Sequence, residues 1–311
     1  MPVKLGQISG LLNINKPKGI TSHDVVNRIR RLAHQRKVGH AGTLDPLATG
    51  VLLVCLGQAT RLIEYLMGGR KQYRAIIHFG ISTDTLDADG NVVAEADATH
   101  LTEADLRQVL PTFQGEIDQI PPIFSALKQG GQPLYKLARA GKTVTLQPRR
   151  VKIYSMGWVA WQPPELTLDV VCSPGTYIRS LARDLGEAVG TAAHLAELTR
   201  LASGDWSLPE AVPLAVLEQA VARDTAAWQQ YLHPPDRAVA HLPQVTLDET
   251  EVRQVKQGQR IKIDAASPLA GGEDSLVRAY TATGDFLAIL TQDEAGDKLW
   301  QPKKVFQIPT N

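Results

Sequence analysis

The sequence predicts an α+β fold in two parts, a large mixed unit followed by a small β-rich one. Three observations carry that expectation. Stretches with helical spacing of apolar residues and stretches with strand spacing are interspersed through roughly the first 230 residues. A proline-rich segment, LHPPDRAVAHLP at 232–243, then reads as a linker. Beyond it come one short helical stretch and four strand-like runs. At 311 residues, with 43% hydrophobic and 21% charged side chains, the chain is long enough for a large domain with a sizeable core plus a small one.

Each element can be justified in order. GITSHDVVNRIRRLAH reads as a helix. Thr21 and Asp24 suit a capping box, Val25, Val26, Ile29, Leu32 and Ala33 form one apolar face, and Arg28, Arg30 and Arg31 lie opposite. The loop GHAGTLDPLATG follows, and then GVLLVCLG, a continuous apolar run expected to be a buried strand. ATRLIEYL places Ala59, Leu62, Ile63 and Leu66 at helical spacing, whereas in KQYRAIIHFG the residues Tyr73, Ala75, Ile77 and Phe79 share one face of a strand. PPIFSALKQGGQPLYKLARAGKT is long, basic and broken by Gly130-Gly131 and Pro133, as an exposed excursion over a ligand would be. ELTLDVVC is a strand and TYIRSLARDLGEAVG a helix whose face is Ile178, Leu181, Ala182, Leu185 and Val189. Tyr177 and Arg179 then fall in its first turn, off the buried face. The tail opens with the helix DETEVRQVKQ, stopped by Gly258, and continues through IKIDA, SLVRAYTA, GDFLAIL and LWQPKKVFQ.

Charge narrows the function. The net charge is only +1, but residues 1–44 hold eight Lys or Arg against Asp24 alone. Residues 119–164 hold seven basic residues and no acid, and the compensating acids cluster from Asp84 to Asp118. One such run is usually a solvated face; two acid-free basic segments point to a polyanionic partner, nucleic acid first. Cys55 and Cys172 each lie in an aliphatic run and read as buried thiols rather than metal ligands or a disulfide. No apolar run is long enough to cross a bilayer, and MPVKLGQISG lacks the apolar core of a signal peptide, so a cytoplasmic location is expected.

GxxxxGK[ST], HExxH, GxSxG and CxxC are all absent, which removes support for P-loop hydrolysis, zinc-dependent hydrolysis and serine-esterase chemistry. What remains is VGHAGTLDPLATGVLL, where Asp45 is the only acid between Asp24 and Glu64. On its own, Asp45-Pro46 reads as an N-cap with proline at the first helical position, and His40, Gly39, Gly42 and Gly50 as loop and turn residues. The whole string says more. KVGHAGTLDPLATGVL resembles the catalytic motif of the TruB family of pseudouridine synthases, the bacterial tRNA pseudouridine-55 synthases. NKPKGITS, KQYRA, PPIFSALKQGGQPLYKLARAG, GTYIRSLARDLG and AHLAELTRLASG match further segments in the family's order, and LWQPKKVF is similar to the end of a PUA domain. The resemblance runs from about Gly10 to Phe306.

That resemblance implies a pseudouridine synthase fold: a mixed, largely antiparallel sheet with flanking helices over residues 1–235, with a basic thumb-like insertion at about 122–152. A small β-barrel PUA-like RNA-binding domain is implied over 245–311. It implies isomerisation of a T-loop uridine of tRNA, position 55, by cleavage of N1–C1′, rotation of the uracil and rejoining through C5, with no cofactor and no metal. The implied partner is the T-arm of tRNA, bound by a monomer without a membrane. Asp45 matches the catalytic aspartate, where a carboxylate suits the positive charge that develops on ribose. Arg179 matches the arginine that aims it. Tyr73 matches the active-site tyrosine that packs on the base and is a candidate for proton transfer. Tyr177 and Leu198 match the lining of the uracil pocket, although Leu195 and Leu198 are also spaced as core leucines of a helix. His40 matches the histidine that fills the place of the everted base, since base–aromatic stacking of about 1–3 kcal/mol offsets much of the cost of flipping. Lys16, in the lysine-proline motif, reads as support for the cleft.

Three rival readings compete with it. GTLDPLATGVL superficially resembles the GTFDPxTxGH string of the phosphopantetheine adenylyltransferases, which are nucleotidyltransferases, but Val51 stands where their chemistry needs a histidine. A non-catalytic RNA-binding or tRNA-folding module, with Gly39-His40-Ala41-Gly42 as a KH-type GxxG loop, explains the basic charge and leaves Asp45, Tyr73 and Arg179 idle. The guide-RNA-dependent relative of archaeal and eukaryotic particles is disfavoured by the uninterrupted basic insertion and the lack of long charged tails.

Overall fold

The computed structural model describes residues 8–125, 128–129, 132–133, 146–263, 276–292 and 299–307. Most of the basic excursion from 126 to 145 lies outside them. The large unit is built on a ten-stranded sheet. Its main path runs Val212–Pro213, Gly10–Lys16, Thr49–Leu56, Ala193–Ser203, Lys71–Phe79, Glu165–Cys172, Arg149–Gln162 and Gly115–Gln119. Two short strands lie off the path: Val38–Ala41 pairs with Thr49–Leu56, and Trp206–Ser207 with Ala193–Ser203. Only two of these pairings are parallel, Gly10–Lys16 with Val212–Pro213 and Thr49–Leu56 with Ala193–Ser203. The sheet is thus mixed and largely antiparallel.

Helices cover one face. The helix Ser22–Leu32 begins with a reciprocal Thr21–Asp24 capping box and buries Val25, Val26 and Ile29, as the 3.6-residue period requires. The helix Ile178–Ala188 buries Ile178, Leu181, Ala182 and Leu185. These faces meet alternate residues of the strands, including Leu12 and Ile14, Tyr73, Ala75, Ile77 and Phe79, and Leu166, Leu168, Val170 and Cys172.

The run GVLLVCLG is apolar throughout because its strand is buried on both faces. Leu52, Val54 and Leu56 point into the helical core. Val51, Leu53 and Cys55 point the other way, into a second cluster with Leu11, Ala41, Leu62, Val239, Ile289 and Phe306. Fully burying one such leucine contributes about 1.5–3 kcal/mol. Ile289 and Phe306 come from the C-terminal unit, a five-stranded sheet ordered Gln244–Leu247, Leu276–Thr281, Phe286–Gln292, Leu299–Val305, Ile261–Lys262, with the helix Glu249–Lys256 against it. It is compatible with a PUA-like module. Reciprocal hydrogen bonds between Gln58 and Gln307, 2.8 and 2.7 Å, and an ion pair between Lys304 and Glu64 fasten it to the larger unit.

Five expectations are corrected. The 232–243 segment is no free linker. Pro235–Val239 forms a 3-10 turn with proline at its start, Ala238 and Val239 are buried, and His233 exchanges backbone hydrogen bonds with Leu11. Asp45 caps no helix: the chain from Gly42 to Ala48 is a loop in which Ala48 N donates to Asp45 O at 3.1 Å. Gly39-His40-Ala41 belongs to a strand rather than a KH-type loop. AHLAELTRLAS is a strand rather than a helix, so Leu198 is not a helix-core leucine. ATRLIEYL is split between a 3-10 turn at Gly57–Leu62 and a short helix at Ile63–Met67.

Gly50 shows how tightly the sheet closes around this loop. Its φ is +97°, and an added Cβ would lie 2.3 Å from the carbonyl oxygen of Arg200 on the neighbouring strand. Gly50→Ala combines left-handed strain with a backbone clash, so it is expected to cost about 3 kcal/mol and lower Tm by about 5 °C or more in a thermal melt.

Candidate active site

Four segments that are distant in sequence converge on Asp45. The loop carrying it joins Val38–Ala41 to Thr49–Leu56, and its carboxylate is half-buried, with the side chain 37% exposed. Arg179, one residue into the helix Ile178–Ala188, places Nη2 at 3.0 Å from Asp45 Oδ2. Nη1 of the same guanidinium lies 3.3 Å from Asp87 Oδ2. Nη1 also donates to Thr85 O and Nη2 to Phe124 O, both at 3.0 Å. Arg179 is 5% exposed, against the expectation that it would lie off the buried face, because the 85–87 turn and the 120–125 segment cover the first turn of its helix. The buried Nε has no hydrogen-bond partner among the described residues.

Two tyrosines flank the carboxylate electrostatically. Tyr73 lies on the central strand Lys71–Phe79, and burial raises its phenol above the usual value, opposed by the charge of Arg200. Tyr177 stands at the N-cap of the Arg179 helix; burial raises its phenol too. The negative charge of Asp45 adds to the rise in both. No capping side chain holds Tyr177. Gln119 does so instead, accepting from Tyr177 N at 2.8 Å and donating to Tyr177 O at 3.0 Å. Leu198 is buried on the strand beside Tyr73's, paired with Ala75. His40 lies on Val38–Ala41, paired with Val54. Its ring is lowered in pKa by burial, and its buried Nδ1 has no hydrogen-bond partner among the described residues.

The backbone of the Asp45 loop is fastened at several points. Ser22 Oγ accepts from Leu44 N at 2.8 Å and donates to Leu44 O at 3.0 Å. Pro46 O accepts from Gly19 N at 2.8 Å and from Lys16 Nζ at 3.4 Å. Thr49 and Thr199 hydroxyls meet at 2.9 Å, and Arg200 donates to Gly42, Thr43 and Val51 carbonyls. Sequence reasoning missed Asp87 and Arg200. Asp87 was hidden in the acid-rich stretch that balances the basic segments; its carboxyl is raised by burial, opposed by hydrogen bonding from Thr85 and by Arg179. The described residues contain no group of three or more His, Cys, Asp and Glu able to hold a metal ion, and no helix long and apolar enough to cross a membrane.

Comparison with known proteins gives a consistent result. Residues 30–178 match the N-terminal domain model of TruB family pseudouridylate synthases, 179–240 a tRNA pseudouridylate synthase B C-terminal domain, and 243–297 the C-terminal model of pseudouridine synthase II TruB. The tRNA pseudouridine synthase B of Dehalococcoides mccartyi is 42% identical over 302 residues, covering 97% of this chain and 98% of its own. That of Synechocystis is 48% identical over 255 residues, covering 81% and 85%. Among solved structures, an archaeal box H/ACA sRNP Nop10–Cbf5 complex aligns with a TM-score of 0.71 at 26% identity, over 99% of this chain and 89% of that one.

Lys16 is an unusual support for such a loop. It is fully buried, and its ammonium donates to Pro17 O at 2.8 Å and Ile20 O at 2.7 Å as well as to Pro46 O. Burial lowers its pKa to about 8, opposed by the charge of Asp45. The unfolded chain keeps this proton to about pH 10.4, so between about pH 8 and 10.4 the unfolded state binds more protons and Lys16's contribution to stability rises with pH. The stability of the wild type minus that of Lys16→Met is therefore expected to grow by about 2–3 kcal/mol from pH 7 to pH 10.5, read by urea denaturation across a pH series. Groups common to both proteins cancel in the difference.

Proposed function

The chain belongs to the TruB family of pseudouridylate synthases, and we propose that it isomerises a uridine of tRNA to pseudouridine, at position 55 of the T-loop, as a monomer gripping the T-arm. The observation that carries the reading is the Asp45–Arg179 contact at 3.0 Å, in a loop whose backbone is held rigid and beside two tyrosines. Identity of 42–48% to tRNA pseudouridine synthase B proteins over most of the chain supports the tRNA substrate.

The reaction breaks N1–C1′, with its electron pair leaving on the uracil, and positive charge develops at C1′. Asp45 meets that charge, by bonding to C1′ or by steadying it, and an ionised carboxylate is the reagent for either task. Arg179 keeps the carboxylate aimed. After the base turns, C5 bonds to C1′, the C5 proton is lost and N1 gains one, so the reaction is balanced without an oxidant or reductant. Tyr73, whose raised phenol holds its proton at neutral pH, is placed to donate to the anionic uracil and to take part in that proton transfer. Tyr177 and Leu198 line the pocket and His40 occupies the place of the everted base. The two basic segments of the sequence, within 1–44 and 119–164, bind phosphate, and the C-terminal unit extends that contact. Because phosphate contacts are read as shape, the fold of the T-arm matters as much as its sequence.

Two substitutions test the reading. Asp45→Asn keeps the size of the side chain and removes its charge. It is expected to abolish pseudouridine formation on unmodified tRNA while affinity changes by less than about tenfold; retention of most activity would refute the assignment. Arg179→Lys offers a point charge where a planar fork serves two carboxylates and two carbonyls, and turnover is expected to fall by about 100-fold or more. An unchanged rate would show that aiming by Arg179 is unnecessary.

A further inference from the structure

The edge of Thr49–Leu56 is divided between two partners. Residues 53–56 pair with Val38–Ala41, whereas Thr49 and Gly50 pair with Thr199 and Arg200. The sheet therefore forks at Val51 and Leu52, and the Asp45 loop leaves through the fork. Carbonyls lining such a gap lack a neighbouring strand to donate to them. Arg200 supplies the donors: Nε to Val51 O at 2.6 Å, Nη2 to Gly42 O at 3.0 Å and Nη1 to Thr43 O at 3.3 Å. We propose that Arg200 is a positioning residue for the isomerisation, fixing both ends of the Asp45 loop from inside the fork and so setting the bond-breaking step without contributing to RNA affinity. The proposal rests on the assignment of Asp45 above.

Three features separate this role from ordinary packing. Arg200 is 1% exposed and its partners are carbonyls rather than a carboxylate, an expensive way to bury a full charge if only a gap had to be filled. Gly42 and Thr43 precede Asp45 and Val51 follows it, so one rigid planar group fixes the two ends of the loop relative to each other, which a flexible ammonium or a single neutral donor cannot do. Arg200 also stands opposite Tyr73 across the ladder, and its charge acts on the Tyr73 phenol, so one group serves both the loop of the carboxylate and the tyrosine's strand. Ser22, Gly19 and Lys16 hold the middle of the loop at Leu44 and Pro46, so the carbonyl contacts of Arg200 complete the set at its ends.

The test uses the full-length variants Arg200→Lys and Arg200→Gln, with thermal melts, binding of unmodified tRNA, single-turnover pseudouridine formation and hydrogen exchange. For at least one folded variant, the single-turnover rate is expected to fall by about 100-fold while tRNA affinity stays within about threefold. Exchange in the peptide spanning 42–51 should rise by about tenfold, with the 73–79 and 166–172 strands unchanged. A rate near that of the wild type, equal losses of rate and affinity, unchanged exchange across 42–51, or loss of a cooperative melt in both variants would each overturn the proposal. Failure of the wild type itself to form pseudouridine would instead count against the functional reading, and the exchange data would still decide whether Arg200 holds the loop.

Discussion

The site depends on a guanidinium that is buried yet shared. Arg179 is almost inaccessible, and a charge in that position is tolerable only when it is surrounded by acceptors. Asp45 and Asp87 supply two carboxylates and Thr85 and Phe124 two carbonyls, so the Nη contacts also fix three separate segments of the chain, the Asp45 loop, the 85–87 turn and the stretch at Phe124. The consequence is directional. Asp87 is buried and fastened by Thr85, whereas Asp45 retains a half-exposed face. One carboxylate therefore serves the arginine, and the other is presented by it to whatever enters the cleft.

Precise presentation also needs a backbone that does not move, and here the far side of the sheet matters. Thr49–Leu56 is gripped between two cores, and the second of them includes Ile289 and Phe306 of the C-terminal unit. Close-packed interiors transmit displacement instead of absorbing it. The small unit is thus part of the scaffold behind the Asp45 loop. The ties from Gln58 to Gln307 and from Tyr280 to Asp236, 2.7 Å, hold it there without a flexible hinge between the two units. Prolines 234 and 235, which by composition suggest a linker, initiate a turn whose apolar side is buried in the same contact.

Much of this was legible in the residues. The continuous apolar run at 51–56 signalled a strand buried on both faces, the Thr21–Asp24 spacing signalled a helix start, and the isolation of Asp45 among bases singled it out. What was not legible has identifiable physical causes. The strand Ala193–Ser203 carries bulges between Leu195 and Glu197 and between Arg200 and Ala202. A bulge inserts one residue into the alternation, so Leu195 and Leu198 face the same core three apart and imitate a helix. The same irregularity disguised Arg200, whose inward orientation no regular period would reveal. Asp87 was lost for another reason: its role comes from a contact with Arg179, 92 positions away, that composition does not encode. Arg179 itself was placed correctly in the first turn of a helix, but its burial is imposed by segments at 85–87 and 120–125.

The two arginines divide the labour according to their acceptors. Arg179 faces carboxylates and governs where a side chain points, and Arg200 faces carbonyls and governs where a backbone lies. Exchanging those partner sets would fail in both places. A carboxylate beside Arg200 would neutralise the buried charge that opposes the burial-driven rise of the Tyr73 phenol, and carbonyls alone around Arg179 would leave no carboxylate to present to the cleft. Lysine fits neither position, since a single ammonium cannot reproduce a planar fork whose donors reach diverging acceptors. Where lysine does occur, at Lys16, its acceptors Pro17, Ile20 and Pro46 converge on one point. The choice of cation at each place thus follows from whether its acceptors diverge or converge, and the Asp45 loop is the one structure that all three cations touch.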